Sequence, residues 1–427
     1  MRLAIFEDET ITNFSPLTLT RPTYELFIGT SPIIQKIEKK IEHEGDILLF
    51  CREYLKPIQV EKYGNRVNNF DRIDDSTLLV NGLLLPNNLP DKIFRKLSEK
   101  GIAVISNDRV VAAHLGEESF EDELMRKALT SGHDVSRLII ERVGKKLTID
   151  EGCLLTYPWE LFEMNGKLVA EEFKGGEWEG DVDDGVKIYG DAGNIYVARD
   201  AFIESGTILD ARVGPIYVGR ETYVHAPSRV SGPSFIGRSC IIFGAQIREG
   251  CSIGDVCRVG GEVEATIFHA YSNKRHHGYI GHAYVGEWVN LGAGTINSDL
   301  KNTYGTIKMR IGDAEIDTGR MFVGCFVGDH AKTAIGTLIF SGKRVGVSSH
   351  LYGVVMRDVP SFTIYGETIG FGSRELCLDS AIKTARRMME RRKKGMTTAY
   401  ESMLRHVFSM TSEERAKAGV AAGKLLL

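Results

Sequence analysis

Residues 218–259 read VGRETYVHAPSRVSGPSFIGRSCIIFGAQIREGCSIGDVCRV, and an aliphatic side chain recurs through them every six positions. Val218, Val224, Val230, Ile236 and Ile242 keep the beat, and after a one-residue slip Ile247, Ile253 and Val259 resume it. A period of six cannot track a helix face, but it suits short strands that each turn one aliphatic side chain inward from a flat face of a coil. Six is also a multiple of the two-residue strand period, so an antiparallel sheet competes; the near-constant phase favours a β-solenoid. Gly219, Ser231, Gly237, Gly254 and Gly260 directly follow aliphatic positions, where a tight corner leaves no room for bulk, while His225 and Phe243 break that pattern.

Before the solenoid, strand-like and helix-like segments alternate: Leu3–Phe6, a helical run over Ile33–His43, Ile47–Phe50, Leu78–Val80, a helix near Asp91–Lys100, and Ile102–Ile105. Alternation of this kind predicts an α/β domain with a mostly parallel sheet. The acidic, glycine-rich stretch EEFKGGEWEGDVDDGVKIYG at 171–190 reads as a connector. The expected division is an α/β domain over 1–185, the solenoid over 186–371 and a helical tail over 372–427. In the tail Ile382, Ala385, Met388 and Met389 form an apolar stripe, and Lys383, Arg386, Arg387, Arg391, Arg392, Lys393 and Lys394 supply a basic side, either a solvated face or a phosphate-binding one. Residues 265–278 carry no six-residue phase and read as a loop leaving the scaffold.

The 427 residues are 43% hydrophobic and 26% charged with a net charge of −4, which gives no global field for holding nucleic acid. Seven scattered cysteines show neither zinc spacing nor disulfide density; Cys240, Cys251 and Cys257 read as core filling. With no signal-like apolar run after MRLAIFEDE and no stretch of about 18 apolar residues, the expectation is a cytoplasmic protein without a membrane span.

Polar chemistry concentrates in SNKRHHGYIGHAYVGEWVNLGAGTINSDLKNTY, residues 272–304. The adjacent His276 and His277 read as solvent-facing loop residues or as a base; zinc is disfavoured because neighbouring residues of an extended chain point apart and no Cys or carboxylate stands at ligand spacing. Tyr279, Asn290, Asn297, Asp299 and Lys301 surround the same point, and Gly292, Ala293 and Gly294 permit close backbone approach.

This segment resembles the acetyltransferase domain of the bifunctional N-acetylglucosamine-1-phosphate uridylyltransferase / glucosamine-1-phosphate acetyltransferase family. His276, Tyr279, Ile280-Gly281 and the run Asn290-Leu291-Gly292-Ala293-Gly294-Thr295 carry the resemblance, with Arg248-Glu249-Gly250 and Val263-Glu264 upstream. It implies a left-handed parallel β-helix, a homotrimer with its sites between subunits, and acetyl-CoA as cosubstrate. It further implies that His276 takes a proton from an amine attacking the thioester, that Asn290 orients the reacting groups, and that Arg248, Glu264, Tyr279 and Asp299 hold an amino-sugar phosphate. Ala293, Gly294 and Lys301 would meet the cofactor. Two departures stand out: the family's phosphate-binding lysine is Thr266 here, leaving Lys274 as a substitute, and its Cys-Asn pair near the acceptor amine is Ser298-Asp299.

The N-terminal part lacks the glycine-rich phosphate loop of sugar nucleotidyltransferases; FSPLTLTRP at 14–22 stands in its place. With Leu78-Leu79-Val80-Asn81-Gly82 and Tyr157–Phe162 it resembles a divergent branch of those proteins that also carries a hexapeptide domain. That resemblance makes Arg21, Asn81 and Gly82 the nucleotide-binding candidates, Arg21 being equally readable as a residue in a surface ion pair. Asn81 replaces a metal-binding aspartate, leaving the metal unassigned; if the domain is active Mg²⁺ is implied, with Glu7 and Asp8 as possible ligands. The expected activity is N-acetylation of an amino-sugar phosphate, coupled to transfer of a nucleotide from a nucleoside triphosphate to a sugar 1-phosphate, giving a UDP-sugar. The alternatives are a nucleotidyltransferase whose β-helix only assembles it, and a sugar-nucleotide-binding scaffold.

Overall fold

All the aliphatic beats point inward in the computed structural model, which describes residues 1–97, 99–149 and 152–422. Val218, Val224, Val230, Ile236, Ile242, Ile253 and Val259 are fully buried and Ile247 nearly so. Successive beats fall on three faces in turn. Strands Ile216–Val218, Ser234–Ile236 and Cys251–Ile253 stack on a first face, Tyr223–His225 and the start of Ile241–Ile247 on a second, and Arg229–Ser231 and the end of Ile241–Ile247 on a third. Stacked coils pair in parallel, Val218 against Ile236 and Ile236 against Ile253, in a left-handed β-helix. The one-residue slip is a shortened corner: between the second and third faces, strand Ile241–Ile247 spends Gly244 and Ala245 where the preceding coil spends Ala226, Pro227 and Ser228, and the following coil spends only Gly261.

One corner of each coil is built the same way. Glu221, Ser239, Val256, Tyr271, Trp288, His330 and Ser348 all have positive φ there. Each donates its N–H to a carbonyl of the preceding coil, as Val256 does to Arg238 and Tyr271 to Asp255, both at 2.9 Å. Glycine at 254 serves a different need, since a Cβ there would collide with the His269 carbonyl of the next coil.

The segment 265–278 is a further coil and leaves the scaffold nowhere. Ile267–Phe268 extends the first face and Asn273–Lys274 the second, with Val259 opposite Lys274. The six-residue phase is hidden because the coil before Phe268 is short, with the inward Val259 and Val263 only four apart, and because the next inward position, six residues after Phe268, is a lysine. Lys274 is buried, and its Nζ donates to the carbonyls of Gly260 at 2.9 Å and His276 at 3.0 Å. Burial lowers its amine to about 8. A side chain committed inward in this way is no substrate ligand, which corrects the expectation for Lys274. The excursion lies later, over 298–324, where the antiparallel hairpin Lys308–Ile311 and Ala314–Asp317 is inserted before Cys325–Val327 resumes the first face.

The N-terminal sheet has strand order Leu48–Leu49, Arg2–Phe6, Thr77–Asn81, Arg109–His114, Ile102–Ser106, Lys145–Thr148, with only Arg109–His114 reversed. Leu3, Ile5, Leu78 and Val80 face one core; Ala4, Phe6 and Leu79 face another, covered by helices Glu123–Ser131 and Val135–Arg142. The first core continues without interruption into the β-helix and the tail. It runs through Trp159 and Phe162 to Ile267, Tyr284 and Phe326, and on to Ala381, Ala385 and Leu404 of helices Leu378–Glu390 and Thr398–Met410. The α/β domain thus covers the first face, where the Phe27 N–H donates to the Tyr284 hydroxyl at 2.9 Å and Ser252 to the Gly29 carbonyl at 2.6 Å. Among the described residues no helix is long and apolar enough to cross a membrane.

Candidate active site

The second face remains open beside His276. A cleft of about 670 Å³ is lined by His276, Asn290, Leu291, Gly292 and Ala293, by Arg258 and Arg275, and by Arg391 and Arg392 from the end of the tail helix. Asn290 is held by its backbone between strands, pairing with Asn273 on one side and Lys332 on the other, so its exposed side chain projects from a fixed rung. The turn that follows is pinned: Gly292 N–H donates to Thr333 Oγ1 at 2.9 Å and Gly294 N–H, at φ +73°, to the His277 carbonyl at 3.0 Å. Between them the Ala293 N–H meets no protein acceptor among the described residues. A fixed, unpaired backbone donor in a cleft is what a developing oxyanion needs. The His276 ring is exposed and takes no protein hydrogen bond among the described residues, leaving both nitrogens to solvent or ligand.

The other expected acceptor residues meet on the third face. Arg248 lies 3.0 Å from Glu264 and 3.3 Å from Glu262. The Tyr279 hydroxyl donates to Asp299 at 2.6 Å and sits 3.0 Å from Glu264. His282 Nδ1, in a role the sequence did not disclose, donates to the same Asp299 oxygen at 2.8 Å. Burial and the Asp299 carboxylate push the Tyr279 phenol well above its ordinary range. Burial alone would raise Asp299, but the His282 and Tyr279 hydrogen bonds hold it below the ordinary value. Asn297 pins the strand beneath, accepting from the Gly281 N–H at 2.8 Å and donating to the Gly281 carbonyl at 2.9 Å. A Cβ on Gly281 would strike the Tyr279 hydroxyl and Asp299 together. Gly281→Ala is therefore expected to displace Tyr279 from Asp299 and to cost about 1–3 kcal/mol of folding stability, checked by urea unfolding.

Lys301 is not at the cleft: its Nζ donates to the Thr306 carbonyl at 2.6 Å within the excursion. The N-terminal candidates are buried. Arg21 has Nη2 2.6 Å from Asp329 and 3.6 Å from Glu287 and Nη1 on the Leu17 carbonyl, an ion pair buried at the domain junction and not on the surface, beside a cavity that Arg21 lines with Lys62 and Glu287. Asn81 spends its amide on Asp8 at 2.7 Å, the Val110 carbonyl at 3.0 Å and the Leu83 N–H at 2.9 Å. Gly82 lies under Thr23 and the Phe6 carbonyl. Glu7 is paired with Arg52 and Asp8 with Arg109, both carboxylates fully buried. Carboxylates already neutralised by arginine do not fit Mg²⁺, and among the described residues no group of three His, Cys, Asp or Glu could hold a metal ion.

Burial alone would raise the Glu287 carboxyl, but His269, 3.0 Å away, and Arg21 hold it below the ordinary 4.5. This contribution to stability is therefore present above pH 4.5 and lost as pH falls below it. Urea midpoints at pH 3 and pH 6 are expected to differ less in Glu287→Gln than in the parent.

The chain thus combines a parallel β-helix that carries a polar cleft on one face with an α/β domain of nucleotidyltransferase type. Residues 3–177 match a family model described as sugar nucleotidyl transferase. The chain is similar to the bifunctional sugar-1-phosphate nucleotidylyltransferase/acetyltransferase of Sulfurisphaera tokodaii, 28% identical over 284 residues that cover 66% of this chain and 61% of that protein. It is also similar to bifunctional protein GlmU of Azoarcus sp., 37% identical over 185 residues covering 41% of this chain and 36% of the relative. GlmU of Bordetella parapertussis is 32% identical over 133 residues, covering 27% and 29%. The chain spans less than two thirds of the length of these relatives.

Proposed function

We propose that this protein N-acetylates an amino-sugar phosphate with acetyl-CoA, and that a nucleotidyl step on a sugar 1-phosphate accompanies it to give a UDP-sugar. The observation that carries this reading is the convergence of His276, Asn290 and the unpaired Ala293 N–H on one cleft. His276 takes the proton as the acceptor amine attacks the thioester carbon, the Ala293 N–H donates to the carbonyl oxygen as it gains charge, and collapse of the tetrahedral species expels the thiolate of CoA. Arg248, Glu264, Tyr279 and Asp299 hold the acceptor. They sit on a different face from the cleft, which supports a trimer in which a site is completed by a neighbouring copy; exposed Ile296, Leu338 and Phe340 on the third face support the same association. The nucleotidyl step requires phosphate and metal contacts other than Arg21, Asn81, Gly82, Glu7 and Asp8. Its test is a parallel assay of thiol release from acetyl-CoA and pyrophosphate release from nucleoside triphosphates across amino-sugar phosphates. Thiol release that depends on an amino-sugar phosphate is expected; no consumption of acetyl-CoA with any of them sinks the proposal.

A further inference from the structure

On the third face three carboxylates, Glu262, Glu264 and Asp299, are gathered around a single arginine, Arg248, through the contacts already described. Thr266, where a lysine would add a second cation, is fully buried with its hydroxyl on the Glu264 carbonyl at 2.7 Å. A group of this composition has negative charge left over and so favours a cationic ligand over an anionic one.

His282 decides how that charge is presented. It occupies the corner between the third and first faces at φ +47°, a left-handed conformation that the two preceding coils give to Gly250 and Ala265. A histidine holds that conformation only where its surroundings fix it. Here the N–H donates to the Glu264 carbonyl at 3.0 Å, and the carbonyl accepts from the Gly324 N–H at 2.8 Å. The ring is wedged between Phe162 of helix Trp159–Glu172, edge-on at 5.7 Å, and Phe322 of the excursion, stacked at 5.2 Å. Backbone and ring together bring Nδ1 to Asp299 Oδ2 at 2.8 Å. An ionised carboxylate only accepts, so Nδ1 carries its proton in either charge state of the ring. The same oxygen takes the Tyr279 hydroxyl at 2.6 Å, while Oδ1 accepts no hydrogen bond from another side chain among the described residues. Burial works against a charge on Asp299, and the bonds from His282 and Tyr279 outweigh it.

We infer that His282 is a positioning residue for the acceptor: by engaging Asp299 Oδ2 it leaves Oδ1 as the free carboxylate oxygen, which takes the acceptor nitrogen as an ammonium group. This rests on the acetyl-transfer reading above and adds the class of acceptor, a primary amine that is protonated when it binds, in preference to a hydroxyl at the same place. An ammonium group brings one positive charge and three N–H donors to the carboxylates, where a hydroxyl brings no charge and one donor. The bound ammonium becomes a nucleophile by losing one proton to solvent. The second proton, released as the N–C bond forms, is the one His276 takes.

Calorimetry with glucosamine 1-phosphate and glucose 1-phosphate, an amine against a hydroxyl, tests this without turnover. The parent is expected to bind the amino compound at least ~10-fold more tightly, and Asp299→Asn to bring the two within about threefold. Affinity of the parent for the amino compound should fall as pH rises through the amine's own pKa, where the ammonium is lost, and in Asp299→Asn that fall should flatten. Around Asp299 the titratable and charged groups are Tyr279, His282, Glu264 and, beyond Glu264, Arg248 and Glu262, while the Phe162 and Phe322 rings bring no charge. All of these are common to both proteins, so the difference between the two profiles belongs to Asp299. His282→Gly adopts the same φ without strain and removes the donor; Kd and KM for the amino compound should rise at least ~5-fold, with KM for acetyl-CoA within about twofold of the parent. His282→Asn also tolerates the left-handed conformation and offers an N–H in place of Nδ1–H, and should come back within about threefold of the parent. Should His282→Gly not fold, His282→Gln, whose N–H lies where Nε2 was, takes its place with the same expectation. Equal binding of the two sugar phosphates by the parent, or parental affinity in the folded His282 variant that lacks the donor, overturns the inference and leaves acetyl transfer standing. A rise in both substrates' KM without rescue by His282→Asn also overturns it, since it marks a structural role alone. If binding follows these expectations yet acetyl-CoA is never consumed, His282 and Asp299 stand as an ammonium-binding pair and the proposed function fails.

Discussion

His276→Ala is expected to lower acetyl transfer ~10²- to 10⁴-fold with little change in the KM for acetyl-CoA. The histidine stands at the corner after Asn273–Lys274, exposed, with neither ring nitrogen spent on the protein. Removing the ring leaves the pinned Ala293 turn in place, so on the proposed mechanism only proton removal is lost. His276→Gln should not rescue, since an amide cannot take the proton. The comparison to run is turnover and KM for both substrates, with pyrophosphate release measured on the same preparations. An unchanged rate of acetyl transfer would remove His276 from the mechanism, and an unchanged principal reaction with no acetyl transfer at all would favour a β-helix that serves only assembly.

The solenoid was legible in the sequence because each coil repeats one simple demand, an aliphatic side chain per face, and Val218 to Val259 meet it almost without exception. Legibility failed where that demand is met by chemistry instead of hydrophobicity. Lys274 fills an inward position by giving its ammonium two backbone carbonyls, and a reading that equates inward with aliphatic turns that coil into a loop. The excursion at 298–324 was hidden for the opposite reason, because its polar start continues the Asn290–Thr295 run and nothing marks where the coil stops. His282 was passed over since only the fold brings its Nδ1 to an aspartate 17 positions later. The same applies to Arg21: its partner Asp329 is 308 residues away, and an arginine in a loop looks like a phosphate ligand until such a partner is seen.

Asp329→Ala is expected to destabilise the protein by about 3–5 kcal/mol, the largest effect of any single substitution at the junction between the α/β domain and the β-helix. Asp329 is almost wholly buried and its carboxylate accepts from Arg21 Nη2 at 2.6 Å, Thr20 Oγ1 at 2.7 Å and the Glu287 N–H at 2.8 Å. Truncation leaves the Arg21 guanidinium buried with only Glu287, 3.6 Å away, as a counterion. A loss of that size is a large part of an ordinary domain's margin of about 5–15 kcal/mol. Replacing both partners, Arg21→Met with Asp329→Leu, is expected to recover most of the loss, since the cost lies in stranding one charge and not in lacking the pair. The consequence reaches the cleft, because Asp329 opens the same coil that carries Lys332 and the Thr333 hydroxyl holding Gly292. Urea unfolding followed by intrinsic fluorescence and by acetyl-transfer activity should therefore show Asp329→Ala losing activity at lower denaturant than the parent, with both probes shifted. A change below about 1 kcal/mol would mean that water reaches Arg21 and that the apolar contacts of Phe27, Phe162 and Tyr284, with the Phe27–Tyr284 and Ser252–Gly29 hydrogen bonds, hold the two domains together without it.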